Sequence, residues 1–125
     1  MDSRPAPSYV YRSSLVRVVD GDTIVLNISL GCHVYRTTTV RLLGVNTPEK
    51  IGATAAAGRL AAHWAASWLT DSPQGEWPLV AETVLDRSDK YGRLLCTIWR
   101  VSDGACLNQD LLSSGHAVPY EGGQR

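Results

Sequence analysis

The sequence has few cysteines, few lysines and no long apolar run, and each shortage excludes a class of protein. The three cysteines are odd in number and form no Cys-x-x-Cys pair, which excludes a full disulfide framework and a zinc knuckle. We expect Cys32, Cys96 and Cys106 to be buried as small apolar side chains. No segment approaches the roughly 18 apolar residues of a membrane span, and no apolar signal core follows Met1. We therefore predict a cytoplasmic protein that makes no membrane contact.

The charge balance excludes a general nucleic-acid coat. Lys plus Arg and Asp plus Glu each total 12, so the formal net charge is zero and any site for a polyanion must be local. Only Lys50 and Lys90 are lysines, and the other cations are arginines, whose planar guanidinium grips phosphate at two points. The arginine excess favours phosphate binding, although genome composition can produce the same bias.

A chain of 125 residues fits one domain, and its hydrophobic periodicity predicts a small barrel. We expect a mobile arm over residues 1–8 and a single domain over residues 9–125. The predicted elements are strands at 15–19, 23–30, 34–45, 79–85 and 94–101, a helix at 53–69 and a short helix ending before Gly115. This order predicts a mainly β fold with some α, in which helices close a five-stranded Greek-key barrel of the OB-fold type.

Apolar residues recur about every 3.6 positions within the first predicted helix, which indicates an amphipathic helix that packs on the sheet. The apolar stripe is predicted to contain Ala57, Leu60, Ala61, Trp64, Ala65 and Trp68. We interpret the two tryptophans of this stripe as core side chains rather than as a platform for stacked bases.

Charged side chains collect at the predicted strand ends and loops, where sites usually lie on a barrel. Asp20 and Asp22 follow the first strand, Arg41 lies late in the third, Glu49 comes just after it, and Arg93 precedes the fifth. Metal-assisted cleavage of a phosphodiester needs oxygen ligands for a hard cation, a base for water, and positive charge near the phosphoryl group. Each of these requirements has a candidate among these residues.

Three segments of the sequence together resemble a known family. They are Val19-Asp20-Gly21-Asp22-Thr23-Ile24, Arg41-Leu42-Leu43-Gly44-Val45-Asn46-Thr47-Pro48-Glu49 and Asp89-Lys90-Tyr91-Gly92-Arg93. In this order they are similar to the signature segments of the thermonucleases, the staphylococcal nuclease family, and the likeness covers about residues 14–120. The resemblance implies an OB-fold nuclease that uses Ca²⁺ to hydrolyse DNA and RNA with little sequence preference. We expect a monomer with DNA or RNA as its substrate.

The resemblance also implies a role for each matching residue at the centre of the site. Asp22 matches a carboxylate that binds calcium, and Thr47 matches a calcium ligand that acts through its backbone carbonyl. Glu49 matches the residue that positions or deprotonates the attacking water. Arg41 and Arg93 match the arginines that hold the scissile phosphate and stabilise its transition state.

The remaining site positions include one departure from the family pattern. Lys90 and Tyr91 match positions that line the nucleotide pocket, and Tyr120 matches one of the tyrosines that follow the second helix. The second calcium carboxylate is replaced by Asn46, whose amide oxygen can ligate but carries no charge, so we expect weak Ca²⁺ binding. We also expect the third helix of the family to be missing.

Two alternatives stay open from the sequence. Arg41 could form a structural ion pair with Asp22 or Glu49 instead of contacting phosphate. The whole chain could be a non-hydrolytic OB-fold module that binds single-stranded nucleic acid or a protein partner, an interpretation favoured by Asn46 and by the neutral net charge. Against it, a binding module has no need of a water-activating carboxylate beside a pair of phosphate-binding arginines.

Overall fold

The computed structural model describes residues 1–71, 75–88 and 90–120, and for residues 85–88 it describes the backbone alone. The strands are β1 (Val10–Asp20), β2 (Thr23–Gly31), β3 (Val34–Leu42), β4 (Val45–Asn46), β5 (Leu79–Ser88), β6 (Leu94–Arg100) and β7 (Val118–Pro119). The helices are α1 (Ala55–Thr70), which follows a 3₁₀ turn at Gly52–Thr54, and α2 (Leu107–Ser113).

Five strands close into a barrel in the order β1-β2-β3-β6-β5. The β1–β2 and β2–β3 hairpins are antiparallel, whereas β3 and β6 pair in parallel, with Val40 opposite Leu94. Antiparallel pairing of β1 with β5, with Ser13 opposite Leu79, completes the closure. The predicted mainly β fold, a five-stranded barrel of OB type with two helices, is confirmed.

The barrel interior is built from alternate residues of the strands, because successive side chains of a strand point to opposite faces. Ile24, Leu26 and Ile28 of β2 are almost completely buried, and Val40 and Leu42 of the neighbouring β3 are buried on the same face. Trp68 of α1 and two leucines of α2 close the same hydrophobic cluster from outside the barrel. One continuous core therefore holds both helices against the strands.

The predicted third strand, at 34–45, is wrong at its end. Strand β3 stops at Leu42, and the chain turns at Gly44, whose φ of +80° is a conformation that glycine adopts without strain. Val45 and Asn46 then form β4, which pairs with β7 instead of continuing the barrel. The turn places Asn46 and the residues after it at the rim of the barrel.

The predicted apolar stripe of the first helix is wrong at Ala57 and Leu60, which are exposed. The buried face contains Gly58, Ala61, Ala65, Trp68 and Leu69. A side chain at residue 58 would overlap the backbone carbonyl of Glu49, so only glycine allows this helix face to approach the preceding loop. The close approach turns Leu60 outward, although its residue type suggested burial.

The expected burial of all three cysteines is also wrong for one of them. Cys96 is buried in β6, and burial raises the pKa of its thiol to about 12. Cys106 is half-buried, whereas Cys32 is exposed in the turn between β2 and β3. Cys32 and His33 both have positive φ there, which is the geometry of a tight hairpin connection.

Several expectations fall at the ends and gaps of the described chain. Residues 1–9 form neither helix nor strand, and the mobility predicted for residues 1–8 stays a prediction. Asp89 of the third signature segment lies outside the described residues. Residues 121–125 do as well, so the expected absence of a third helix stays a prediction. In the part of the chain that is described, no helix has both the length and the apolar character needed to cross a membrane.

Candidate active site

One end of the barrel carries a pocket of about 360 Å³, which is walled by three separate segments of the chain. The segments are the end of β1 with the start of β2, the loop after β4, and the residues that precede β6. The lining residues are Asp20, Asp22, Thr23, Thr47, Pro48, Glu49, Lys90, Tyr91 and Arg93. The fold therefore brings together six of the predicted site residues, whereas Arg41, Asn46 and Tyr120 do not line the pocket.

Asp22 lies at the base of the pocket and is only 3% exposed. One carboxylate oxygen, Oδ2, accepts a hydrogen bond of 3.0 Å from the backbone N–H of Thr47. The other, Oδ1, accepts one of 3.0 Å from the hydroxyl of Thr23. These bonds fix the carboxylate and tie the β1–β2 turn to the loop that carries Thr47 and Glu49.

Arg41 packs against this carboxylate and is 2% exposed. Its Nη1 donates to the carbonyl oxygens of Leu42, at 3.1 Å, and Val45, at 2.9 Å. Its Nη2 donates to Oδ1 of Asn46 at 3.3 Å and lies 3.4 Å from Oδ2 of Asp22. The ion pair with Asp22 that the sequence left open is thus present, and it compensates the charge of a buried guanidinium.

Tyr120 joins this buried cluster from the other end of the chain. The guanidinium carbon of Arg41 lies 5.0 Å from the centroid of the Tyr120 ring, within the range of a cation–π contact. The backbone N–H of Tyr120 donates to the carbonyl of Gly44 at 2.9 Å. Tyr120 therefore contacts the underside of the site and packs on Arg41 rather than facing the pocket.

Positive charge forms the opposite lip of the pocket. Nη1 of Arg93 donates to the hydroxyl of Thr23 at 3.2 Å, which directs the guanidinium toward the Asp22 side. The Tyr91 ring is 70% exposed and lies close to two cations, with the Arg93 guanidinium carbon at 5.2 Å and Lys90 Nζ at 5.1 Å. Two cations and an exposed aromatic ring thus face the carboxylates of Asp22 and Glu49.

Two glycines allow the loop of Thr47 and Glu49 to lie against its neighbours, and sequence reasoning assigned no role to either. A Cβ at Gly21 would lie 2.9 Å from Cγ2 of Thr47 and 3.0 Å from Cβ of Ala61. At Gly58 it would overlap the Glu49 carbonyl. Thr23, which bonds both Asp22 and Arg93, was also missed, although its place after Asp20-Gly21-Asp22 was a usable signal.

Comparison with known families agrees with this geometry. The family model described as staphylococcal nuclease homologue matches residues 39–125, which is more than half of the chain. The chain belongs to the staphylococcal nuclease homologue family. It is thus placed among nucleases and nucleic-acid-binding proteins, while no curated protein matches it. The match contains all the predicted site residues of this nuclease homologue except Asp22, which lies before residue 39.

The oxygen atoms at the candidate site of this nuclease homologue suit a hard cation, such as Ca²⁺, better than a soft one. The described side chains contain no group of three His, Cys, Asp or Glu residues placed to hold a metal ion. Asp22, Asn46 and Thr47 nevertheless offer carboxylate, amide and carbonyl oxygens, the donor types that Ca²⁺ prefers. Oγ1 of Thr47 is buried without a hydrogen-bond partner among the described residues, so one more oxygen is available at the same place.

Proposed function

We propose that this staphylococcal nuclease homologue is a Ca²⁺-dependent phosphodiesterase that hydrolyses DNA and RNA with little sequence preference. The observation that carries the proposal is the meeting of Asp22, Glu49 and Arg93 in one pocket, although they come from distant parts of the sequence. Carboxylates that face a guanidinium across a pocket provide both a base for water and a donor for a phosphate oxygen. Neither feature alone would distinguish a hydrolase from a binding module.

Glu49 is the proposed base. It is exposed and lines the pocket, so its carboxylate can accept a proton from a water molecule or orient that water toward phosphorus. A base of this kind accelerates a reaction by roughly 10²–10⁴-fold. When bound, Ca²⁺ would neutralise phosphate charge, and the residues that would hold it are Asp22, Asn46 and Thr47. Because only Asp22 of these three carries a charge, we expect weak binding.

Arg93 and Arg41 are proposed to stabilise the phosphate from different depths. Arg93 lines the pocket and can donate two parallel hydrogen bonds to phosphate oxygens. Arg41 is buried against Asp22, whose carboxylate offsets part of its charge, and the remainder acts through a buried environment that screens it little. Contact with Tyr120 and with two backbone carbonyls holds Arg41 in place, so its field needs little reorganisation during the reaction.

Lys90 and Tyr91 are proposed to hold the nucleotide next to the scissile phosphate. The exposed Tyr91 ring offers a flat face for a base or sugar, and Lys90 adds a charge for a neighbouring phosphate. Both residues lie on the same side of the pocket as Arg93. The substrate would therefore lie between this lip and the Glu49 loop.

A second candidate function is a non-hydrolytic module that binds single-stranded nucleic acid. The observation that favours it is the burial of Arg41, whose guanidinium is bonded to Asn46, Asp22 and backbone carbonyls instead of lining the pocket. Such a module would keep the positive lip and would need no base. The presence of Glu49 in the same pocket as Arg93 favours the hydrolase.

The two functions are separated by incubating the purified chain with denatured DNA and with RNA, either in millimolar Ca²⁺ or in chelator. We expect chelator-sensitive cleavage of both substrates. Glu49→Gln should lower turnover by about 10²-fold or more and leave binding nearly unchanged. The matched control is Glu82→Gln, an exposed position of β5 that should retain full activity. Measurable binding without chelator-sensitive cleavage would instead support the module.

A further inference from the structure

The first three strands carry positive charge that the neutral total conceals. Between Val10 and Leu42 the sequence has four arginines, and its only acids are Asp20 and Asp22 in the pocket turn. Arg12 and Arg17 of β1 are exposed, and Arg36 of β3 is exposed as well. Arg12 and Arg17 lie on the outer face of the β1–β3 sheet and make it locally basic, whereas Arg36 follows Tyr35 in β3 and so lies on the opposite face.

One face of this sheet leads directly away from the pocket. Thr23 of the pocket pairs with Arg41, and the next pairs on the same face are Val25 with Thr39, Asn27 with Thr37, and Ser29 with Tyr35. Side chains two residues apart in a strand share a face. From Arg41 to Tyr35 this row extends roughly 20 Å, at about 3.3 Å per residue. Its β3 side becomes progressively more exposed with distance from the pocket.

An aromatic and basic cluster lies at the far end of this row. Tyr35 is 55% exposed, and its ring stacks on Trp77 at 5.9 Å with an angle of 5° between the ring planes. The guanidinium carbon of Arg12 lies 5.8 Å from the Trp77 ring. Aromatic rings beside arginine are the elements that hold single strands, because every base can stack and every phosphate is anionic.

We propose that Tyr35, Trp77 and Arg12 form a second contact site for single-stranded nucleic acid, connected to the cleavage pocket by the outer face of β3. The choice of ligand rests on the proposed function. A stacked strand rises 3.4 Å per nucleotide, so about six nucleotides would join the two sites. This length falls within the roughly 4–16 nucleotides that one OB-fold contacts. A single strand fits because its bases are open to stacking, unlike those of a duplex.

The test compares a labelled single strand of about twelve thymidines with one of three, which is too short to reach both sites. In chelator, Tyr35→Ala should weaken binding of the longer strand by about tenfold, the effect of losing one stacked base, and leave the shorter strand unaffected. Tyr35→Trp should restore binding because it retains an aromatic face. Arg12→Gln should reduce the salt dependence of binding. The matched control is Leu60→Ala, an exposed apolar position on α1.

Cleavage kinetics in Ca²⁺ provide a second readout that separates this inference from the proposed function. The same Tyr35 variants should raise KM for the longer strand and leave kcat unchanged. Tyr35-dependent binding without any cleavage would support the second site while overturning the hydrolase. Cleavage with binding and KM independent of Tyr35 would overturn the second site alone. If Tyr35→Ala weakened the binding of the short and the long strand equally, the second site would also be overturned.

Discussion

Two pockets of this molecule are each lined by arginine and aspartate, yet their internal bonding differs. The second pocket, of about 490 Å³, lies between the end of α1, β6 and α2. There Arg100 donates to both carboxylate oxygens of Asp103 and to the carbonyl of Trp68, and its guanidinium stacks on the Trp68 ring at 4.3 Å. The indole N–H of Trp68 in turn donates to Asp110 at 2.8 Å.

Pocket volume is a poor guide to the position of the functional site in this molecule. The larger pocket uses its charges to join secondary-structure elements, and its arginine is bonded to a carboxylate only three residues away. The pocket of Asp22 and Arg93 is smaller, but it includes a buried hydroxyl that lacks a partner among the described residues. It also combines an exposed lysine and a half-buried arginine with an exposed carboxylate. Chemistry at the pocket wall, rather than volume, therefore identifies the candidate site.

The largest effect is expected on kcat/KM when Arg93 is replaced, and it separates Arg93 from Arg100 of the second pocket. Arg93→Ala should lower kcat/KM by about 10²-fold or more, because removing one preorganised donor to developing charge has an effect of this size. Arg100→Ala should lower the melting temperature and leave turnover unchanged below it, since it removes an ion pair, a hydrogen bond and a cation–π contact. Activity and thermal unfolding of both variants check this. Equal loss of turnover in folded Arg100→Ala would abolish the distinction between the pockets.

The next effect tests whether helix packing positions the proposed base. Gly58→Ala replaces a poor helix former with a good one, which alone would stabilise α1 by about 1 kcal/mol. We expect destabilisation instead, because the new methyl overlaps the Glu49 carbonyl. Displacement of Glu49 by about 1 Å should lower turnover by up to about 10²-fold. A rise in both stability and turnover would show that the contact has no such role.

The control for Gly58→Ala is the same substitution at Gly75, where a methyl would meet nothing within 4 Å and φ is not positive. Gly75→Ala should leave turnover unchanged. A misplaced base and a loss of folded protein both lower the apparent kcat with little change in KM, so kcat must be expressed per folded molecule. Thermal unfolding of each variant gives the folded fraction at the assay temperature, and only a misplaced base lowers kcat after this correction.

A smaller effect concerns the proposed metal ligands, of which Asn46 lies beside the pocket. Asn46→Asp adds a second charged ligand, so the Ca²⁺ concentration for half-maximal activity should fall severalfold. The new carboxylate would also face Arg41, to which the Asn46 amide oxygen is already bonded at 3.3 Å. Gln109→Glu, an exposed position of α2, adds the same charge away from the pocket and should not change the Ca²⁺ requirement. Unchanged metal dependence in Asn46→Asp would remove Asn46 from the ligand set.

Local patterns in the sequence predicted most of the barrel and much of the pocket. The alternation of apolar residues along β2 correctly predicted its buried face, because Ile24, Leu26 and Ile28 follow the two-residue period of a strand. The signature segments predicted residues that converge in one pocket. Convergence itself depends on parallel pairing of β3 with β6, which no local pattern encodes.

The errors arose where close contact between distant segments decided the outcome. The length of β3 depended on pairing between β4 and β7, two strands far apart in sequence. The orientation of α1 depended on Gly58, whose missing side chain admits the Glu49 loop and turns Leu60 outward. The burial of Arg41 was not foreseen either: the turn at Gly44 brings the Val45 carbonyl within 2.9 Å of its guanidinium, while its role at the phosphate stays a prediction.

The smallest effect concerns pH and the second pocket. The hydrogen bonds from Arg100 and from the backbone N–H of Ala105 lower the pKa of Asp103 from 3.8 to about 2. Asp103 also raises the pKa of Arg100 further above its ordinary value. A carboxylate whose pKa is lower in the folded state stabilises the fold above its unfolded pKa, and this contribution is lost as the pH falls through the folded pKa. The contribution is small because Asp103 is exposed.

Asp103→Asn should therefore lower the urea midpoint slightly at neutral pH, and its difference from the unsubstituted chain should narrow as the pH falls from about 5 toward 2. The narrowing follows because protonated Asp103 no longer provides the charge that the substitution removes. Ser102→Ala, on the same turn, should show no such pH dependence, and nuclease activity at neutral pH should be equal in all three chains. A stability difference that stayed constant down to pH 2 would mean that Asp103 acts through the shape of its turn and not through its charge. The contrast between the structural Arg100 and the proposed catalytic Arg93 would then rest on the Arg93 variant alone.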